Sequence, residues 1–148
     1  MINVSVIVPI YNVGKYIERC AESLLSQTMK SGVEFIFVDD AATDNSIDIL
    51  KTVIARHPER KDQVKLLTHP MNKGLPAARN TGMDAAEGEY IYHCDSDDYV
   101  EADMLRKMYM ATLTRGADIV WCDWYLTFPH NERYMSQPMR STQFAAVR

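Results

Sequence analysis

Residues 89–98 read Glu-Tyr-Ile-Tyr-His-Cys-Asp-Ser-Asp-Asp, an apolar segment that leads directly into acidic residues. The part from Glu89 to Cys94 has the apolar, aromatic character of a buried β-strand. Asp95, Asp97 and Asp98 then place three carboxylates within four residues. Such a cluster is electrostatically costly unless a cation binds, and Mg²⁺ and Mn²⁺ prefer carboxylate oxygens together with substrate phosphates. The stretch therefore predicts a metal site that holds a phosphorylated ligand.

Asp95 and Asp97 are the two acids best placed to share one ion, because residues two apart in an extended segment point the same way. The alternative is that the acids begin a helix before Glu101, where negative charge interacts favourably with the helix dipole. Two carboxylates directly after an apolar strand fit a metal better, so we predict Asp95 and Asp97 as its ligands.

The rest of the chain alternates between strand-like and helix-like segments. Strands are predicted at Val4–Pro9, Glu34–Val38, Val64–Thr68, Glu89–Cys94 and Ala117–Cys122. Between them we predict a helix capped by Asn12, one capped by Thr43 or Asp44, one from Pro76 to about Glu87 that Gly88 ends, and one from Glu101 to about Arg115. Strands joined by helices pair in parallel. The pattern predicts an α/β fold with a mostly parallel sheet and helices on both faces. Gly82, inside the third helix, indicates close packing there.

Composition limits the function classes. The 148 residues are 47% hydrophobic and 24% charged, with a net charge of −4, which is typical of a globular domain and offers no basic stripe for nucleic acid. The three cysteines (Cys20, Cys94, Cys122) show neither disulfide nor metal-ligand spacing, which favours a reducing cytoplasm. We find no signal peptide and no apolar run long enough to be a transmembrane segment. After about Thr127 the alternation weakens, so we predict one domain at residues 1–127.

Three polar clusters follow predicted strands: Pro9 to Asn12, the pair Asp39 and Asp40, and Asp95 to Asp98. Parallel strands bring their carboxyl ends to one edge of the sheet, where ligands of open α/β folds bind. A carboxylate of the Asp39–Asp40 pair could accept a hydrogen bond from a nucleobase N–H, or it could cap the second helix. Because two adjacent acids exceed the needs of a cap, we predict ligand contact for the pair.

Positive charge is available beside these acids, from Lys73 and Arg79. Lys73 lies in the loop from His69 to Gly74, and Arg79 lies in the helix that follows. A diphosphate requires positive charge and N–H donors, and a helix N-terminus attracts it in both ways. The alternatives are a solvated lysine and an arginine that pairs with a surface acid. We predict that both residues lie near a diphosphate.

Four stretches together resemble the family 2 glycosyltransferases of the GT-A fold. They occur in the family order and cover residues 4 to about 100: 4–12 (VSVIVPIYN), 37–46 (FVDDAATDNS), 72–80 (NKGLPAARN) and 95–98 (DSDD). The resemblance implies a glycosyltransferase of the hexosyltransferase type, with a nucleotide-sugar donor, most often a UDP-sugar, and Mn²⁺ or Mg²⁺ at a DxD-type motif. It implies a base pocket lined by Pro9, Tyr11 and an acid of the Asp39–Asp40 pair. It also implies Arg79 and Lys73 beside the diphosphate, Asp95 and Ser96 beside the ribose or sugar, and Asp97 on the metal.

Two departures from the family pattern accompany the resemblance. Ala41 and Ala42 replace the more usual Gly-Ser of the second stretch. Family members also carry an acceptor-binding part after the metal motif, which supplies the base of an inverting displacement. We expect residues 128–148 to be a connection towards such a part, absent from this chain, and the catalytic base to lie beyond Arg148. The acceptor stays open between a saccharide, as in polysaccharide biosynthesis, a lipid and a protein. The expected location is cytoplasmic, with a peripheral position at the inner membrane face as an alternative.

Two other functions compete with transfer. The first is a non-catalytic module that binds nucleotide sugars. The second is a phospho-receiver signalling domain, which also has a five-stranded parallel sheet and an acidic pair after a strand. In a receiver the pair follows strand one, whereas here strand one ends in Pro9-Ile10-Tyr11. A dinucleotide-binding domain is disfavoured because no G-x-G-x-x-G follows strand one.

Overall fold

A parallel four-stranded sheet forms the centre of the molecule. The computed structural model describes residues 1–128 and 131–135. The strands lie in the order β3-β2-β1-β4, with these bounds: β1 Val4–Ile10, β2 Val33–Asp39, β3 Val64–Thr68 and β4 Tyr90–His93. Ile10 pairs with Asp39 on one side of β1, and Ile7 pairs with His93 on the other. All four strands therefore end at the same edge of the sheet.

Helices cover both faces of this sheet, as predicted. They are α1 Ile17–Leu25, α2 Ser46–Arg56, α3 Leu75–Asp84 and α4 Met104–Arg115, with a short 3₁₀ helix Pro58–Gln63 before β3. Alternate residues of β1 and β2 pack on one face against α1, α2 and α4, where Ile17, Leu50 and Leu105 are buried. On the opposite face Ile36 and Val38 pack against Ala78 of α3. Successive side chains of a strand point to opposite faces, so the two cores follow from the period of two.

Gly82 lets α3 lie directly on the sheet, as the sequence indicated. A methyl group at Gly82 would overlap Cγ2 of Ile7 in β1. Gly88, expected to end the helix, has another purpose. A Cβ there would lie 2.7 Å from the backbone nitrogen of Ser5, so the absence of a side chain allows the chain to approach β1 before β4 begins. The helix itself ends earlier than predicted, at Asp84.

Arg60 closes the carboxyl end of α1 from inside the protein. Its side chain is buried, and its Nε donates to the Leu25 carbonyl at 3.0 Å. Its terminal nitrogens donate to the carbonyls of Met29 and Gln27. Burial lowers the pKa of the Arg60 guanidinium. The last carbonyls of a helix have no partners within it, so a buried cation is a suitable donor.

Gln27 joins the end of α1 to the start of α4. Its fully buried side-chain amide donates to the Glu101 carbonyl at 2.7 Å and accepts from the Leu105 N–H at 3.1 Å. The segment between β4 and α4, which contains the acidic residues, is therefore anchored on its far side as well as at the strand.

The predicted fifth strand at Ala117–Cys122 is wrong. The segment is irregular, and Ile119 and Trp121 are exposed. The next strand, β5 Trp124–Phe128, pairs antiparallel with β6 Asn131–Met135 in a separate hairpin. The apolar residues of 117–122 have the local character of a strand. The strand that does form here is β5, and it pairs with β6 instead of with the edge strand β4.

The prediction that Asn12 caps the first helix is also wrong, because α1 begins at Ile17 and has no side-chain cap. Asn12 adopts a left-handed φ of 52°, and its Oδ1 instead accepts from the Thr43 N–H at 2.8 Å. Asp44 does hold the start of α2, since its Oδ1 accepts from the Ser46 N–H, although Asn45 occupies the cap position. Asn12 thus joins the loops after β1 and β2.

The end of the chain is described only in part. The predicted domain at 1–127 and connection at 128–148 stay predictions, because 129–130 and 136–148 lie outside the described residues. Within the described part, none of the helices combines the length and apolar character needed to cross a bilayer.

Candidate functional site

The strand order places the expected ligand crevice between β1 and β4. From β1 the chain adds β2 and β3 on one side, then crosses to add β4 on the other. In open α/β sheets, ligands bind outside the carboxyl ends of the strands where the order reverses. The order also differs from the 2-1-3-4-5 arrangement of flavodoxin-like receiver domains, which argues against the signalling alternative.

The acidic run begins at this crevice. The Cys94 N–H donates to the Ile7 carbonyl at 3.0 Å and so continues the pairing of β4 with β1. A turn follows, in which the Asp98 N–H donates to the Asp95 carbonyl at 3.0 Å. The sulfurs of Cys20 and Cys94, both buried, lie 3.7 and 3.6 Å from that same carbonyl oxygen. These contacts from buried residues and from the turn hold the backbone of Asp95 in place.

The side chains of the run differ in exposure. Ser96 is buried, Asp97 is exposed, and the side chain of Asp95 is 48% exposed. Desolvation, followed by the negative charges of Asp97 and Asp95, raises the pKa of Asp98. Desolvation is the larger cause, and the two neighbouring carboxylates add a repulsion that a bound cation would relieve.

These residues fit a hard divalent cation. Within residues 1–128 and 131–135, no three His, Cys, Asp or Glu side chains gather as a complete metal site. The chain would instead supply one or two carboxylates, from Asp97 and the second oxygen of Asp95. A bound diphosphate and water would complete the coordination, which is the usual arrangement for Mg²⁺.

Arg79 meets Asp95 at the same edge. Its terminal nitrogen lies 2.6 Å from Asp95 Oδ1, and both side chains are partly exposed. Arg79 thus pairs with an acid, as one alternative held, but that acid belongs to the predicted site. α3 begins here, with Gly74 at its cap position at a φ of 87° and Pro76 in its first turn, as predicted. The positive end of the α3 dipole therefore faces the carboxyl edge of the sheet.

Asp40 is buried, and its carboxylate is used within the protein. Oδ1 lies 2.7 Å from His69 Nδ1 and accepts from the Lys73 N–H at 2.8 Å, and Oδ2 accepts from the Gly74 N–H at 2.8 Å. Burial alone would raise the pKa of Asp40, but the hydrogen bonds from His69, Lys73 and Gly74 outweigh it, so that the pKa is lowered. Asp40 therefore stays ionised and holds the loop that precedes α3.

Asp39 is the acid of the pair whose side chain has a single described hydrogen bond. Its Oδ1 accepts from the Ala42 N–H at 2.8 Å, as a turn cap does, and the side chain is largely buried. The turn places Ala41 at a φ of 60°, a left-handed conformation that the glycine usual in the resembled stretch adopts without strain. The replacement of glycine by Ala41 therefore leaves the chain in a glycine-type turn.

Three other predicted site residues lie along this edge. Pro9 is buried in β1 beside Val38 of β2. Tyr11 follows β1 directly and is 47% exposed. The side chain of Lys73 is exposed, while its backbone N–H binds Asp40. The structure thus joins Arg79 to Asp95 and Lys73 to Asp40 by direct contact, and it places Pro9, Tyr11 and Ser96 at the same edge.

His69 and Thr81 were not predicted. His69 is 5% exposed, and its Nε2 lies 2.9 Å from the Thr81 hydroxyl. One signal was available, because His69 directly follows β3, as the other polar clusters follow their strands. Thr81 has no such signal, since a threonine in a helix is ordinary.

Comparison with known proteins identifies relatives of this arrangement. Residues 5–146 match the family model described as Glycosyl transferase family 2. The chain is 42% identical over 123 residues to the glycosyltransferase GlyG of Streptococcus pneumoniae, a match that covers 82% of this chain and 39% of GlyG.

Solved structures that share the fold include those of two proteins, TarS and PcManGT. S. aureus TarS, crystallised in complex with UDP, superposes with a TM-score of 0.71 at 32% identity, over 79% of this chain and 34% of that one. TarS has also been solved with UDP-GlcNAc. The mannosyltransferase PcManGT of Pyrobaculum calidifontis, in complex with GDP-Man and Mn²⁺, has a TM-score of 0.61 at 28% identity, over 66% of this chain and 28% of that one. The chain thus spans about two fifths of GlyG and about a third of the crystallised TarS chain, residues 1–349.

Proposed function

This chain belongs to glycosyl transferase family 2, and from that premise we propose that it binds the donor in an enzyme that moves a sugar from a nucleotide-diphosphate sugar to an acceptor. A UDP-sugar is the proposed donor, because TarS, one of the structural relatives, is seen with UDP and UDP-GlcNAc. The acceptor class stays open between saccharide, lipid and protein, and so does the cytoplasmic or membrane-peripheral location.

The contact between Arg79 and Asp95 carries the proposal. It places a guanidinium 2.6 Å from the first carboxylate of the acidic run, at the crevice between β1 and β4. A guanidinium binds phosphate oxygens with paired, charge-assisted hydrogen bonds. In this proposal Arg79 holds the diphosphate together with Lys73, whose side chain is exposed beside the start of α3.

The rest of the donor would lie along the same edge. Tyr11 and Pro9 would line the base pocket, and Asp39 would accept from the base N–H through its second oxygen. We assign this role to Asp39 rather than Asp40, because three internal hydrogen bonds occupy the Asp40 carboxylate. Asp95 and Ser96 would contact the ribose or the sugar.

Asp97, with Asp95, would hold Mn²⁺ or Mg²⁺. The bound ion would neutralise charge on the departing diphosphate as the bond to the sugar breaks. The roles of the chain's own residues are to orient the donor and to hold positive charge beside the leaving group. An inverting displacement, in which an acceptor hydroxyl attacks, is proposed, and the base for it is not assigned to any residue of this chain.

A donor-binding module without transfer activity is the second candidate. The contact between Arg79 and Asp95 at the crevice supports donor binding in this case as well. Donor-hydrolysis and transfer assays, run on this chain beside a longer family member, would separate the two candidates.

The proposal predicts that UDP with Mn²⁺ raises the melting temperature of the chain. A ligand that binds only the folded state stabilises it in proportion to the logarithm of its concentration, by about 2.7 kcal/mol at 100 times Kd. Asp97→Ala should abolish the part of the shift that requires the metal, because it removes the exposed ligand. Differential scanning fluorimetry with UDP or GDP, with and without Mn²⁺, measures both effects and the base preference.

Asp62→Ala is the matched control, since Asp62 is also exposed but lies in the 3₁₀ helix. It should retain the full shift. Absence of any shift in the wild-type chain at millimolar UDP or GDP would refute donor binding. A metal-dependent shift that survives in Asp97→Ala would refute only the assignment of Asp97.

A further inference from the structure

His69 lies where two parts of the site meet. Its backbone N–H donates to the Asp39 carbonyl at 2.8 Å, so the residue is held beside the end of β2 as β3 ends. The side chain is 5% exposed and therefore inaccessible to a bulky ligand. Any effect of His69 on the donor must act through its neighbours.

One ring nitrogen of His69 contacts the carboxylate that holds the loop before α3. Nδ1 lies 2.7 Å from Asp40 Oδ1, and the same carboxylate accepts from the backbone N–H groups of Lys73 and Gly74. The imidazole thereby orients the carboxylate that fixes these two residues. Lys73 then presents its side chain from a defined backbone position.

The other ring nitrogen contacts a side chain of α3. A neutral imidazole that donates from Nδ1 has Nε2 as an acceptor, and the Thr81 hydroxyl lies 2.9 Å from it. Thr81 lies two residues after Arg79 in α3. Ala78 and Gly82 set the distance of α3 from the sheet, and the bond to Thr81 adds a polar contact that resists rotation of the helix.

We propose that His69 is a positioning residue for the donor diphosphate, which acts through Asp40 on Lys73 and through Thr81 on Arg79. The inference rests on the proposed function and deepens it. It assigns to one buried imidazole the relative placement of the two cations at the site. The base pocket at Tyr11 and Asp39 has no side-chain bond to His69, so the effect is confined to the phosphate half of the ligand.

Uridine and UDP therefore distinguish positioning from general support of the fold. His69→Leu removes both side-chain bonds and should weaken UDP binding roughly tenfold, the effect of one lost hydrogen bond to a charged group. Uridine, which has no phosphate, should bind as it does to the wild-type chain. NMR titration with each ligand in the presence of Mg²⁺ gives both dissociation constants.

Two further variants separate the two links. Thr81→Val removes only the bond to α3 and should weaken UDP binding by about threefold. His69→Asn, which can still donate to Asp40 but is too short to reach Thr81, should match Thr81→Val. Thr114→Val, a matched change on the exposed face of α4, should leave both ligands unaffected.

The outcomes are distinct. Unchanged UDP binding in His69→Leu, or an equal loss of UDP and uridine binding, would overturn the positioning role. Should His69→Leu fail to fold, Thr81→Val decides by the same comparison of UDP with uridine. Failure of the wild-type chain to bind UDP would overturn the proposed function itself, and this inference with it.

Discussion

Arg79→Met is expected to weaken UDP binding roughly 100-fold, or by about 2.7 kcal/mol, since it would remove the charge-assisted hydrogen bonds proposed between Arg79 and the diphosphate. Methionine keeps much of the length and apolar volume of the arginine stem, so the substitution in α3 changes local packing little. The pair with Asp95 is partly exposed, and such pairs contribute only about 0–1 kcal/mol to stability. The loss should therefore appear in binding and not in the folding free energy.

Isothermal titration calorimetry with UDP and Mn²⁺ measures this effect. Arg79→Lys should recover part of the affinity, because lysine retains the charge but not the planar arrangement of donors. Arg115→Met is the control, since Arg115 is an exposed arginine in the last turn of α4. Equal affinities for Arg79→Met and the wild-type chain would remove Arg79 from the diphosphate site.

Arg60→Met is expected to lower the free energy of unfolding by about 3–5 kcal/mol. Arg60 is buried and donates to three backbone carbonyls at and beyond the end of α1, those of Leu25, Gln27 and Met29. Methionine would leave these carbonyls buried without a donor, and an unsatisfied buried group costs about 1–3 kcal/mol. No carboxylate of the described residues forms an ion pair with Arg60, so the cost comes mainly from the lost carbonyl partners.

Urea unfolding followed by circular dichroism measures this change. Lys61→Met is the control, since Lys61 is the next residue in the 3₁₀ helix and is exposed, and its unfolding curve should differ by under about 0.5 kcal/mol. A loss below about 1 kcal/mol in Arg60→Met would mean that water or other donors satisfy the α1 carbonyls.

The sequence predicts the sheet well where the pattern is strong. β1, β2 and β3 are runs of apolar and β-branched residues, and their predicted bounds agree with the observed strands to within a residue or two. Gly82 was also interpreted correctly, because a glycine inside a helix has a cost that close packing explains. The strand predicted at 117–122 does not form, because an apolar run alone does not show which strand it would pair with. The neighbouring strand β5 pairs with β6 instead.

The site is predictable to the extent that it depends on topology. Parallel strands bring Asp39, Asp95 and Tyr11 to one edge whatever their detailed contacts, so that prediction required only that the strands pair in parallel. Individual contacts depend on tertiary structure. Nothing local in the sequence shows that Asp40 turns inward to His69, or that Asn12 binds Thr43 instead of capping α1. The division of roles between Asp39 and Asp40 therefore required coordinates.

The pairing of β1 with β4 has a consequence for folding kinetics. Val4 pairs with Val33 after a single helical crossover, but it pairs with Tyr90 only after three helices and two strands have intervened. Closing the longer loop costs more entropy, and contacts distant in sequence form late. We expect pulse-labelled hydrogen exchange during refolding to protect amides of β2 before those of Tyr90 and Cys94, and simultaneous protection would contradict this order. The carboxylates that follow β4 would then come together in the last stage of folding, so a nascent chain would form the proposed donor site only once the sheet is complete.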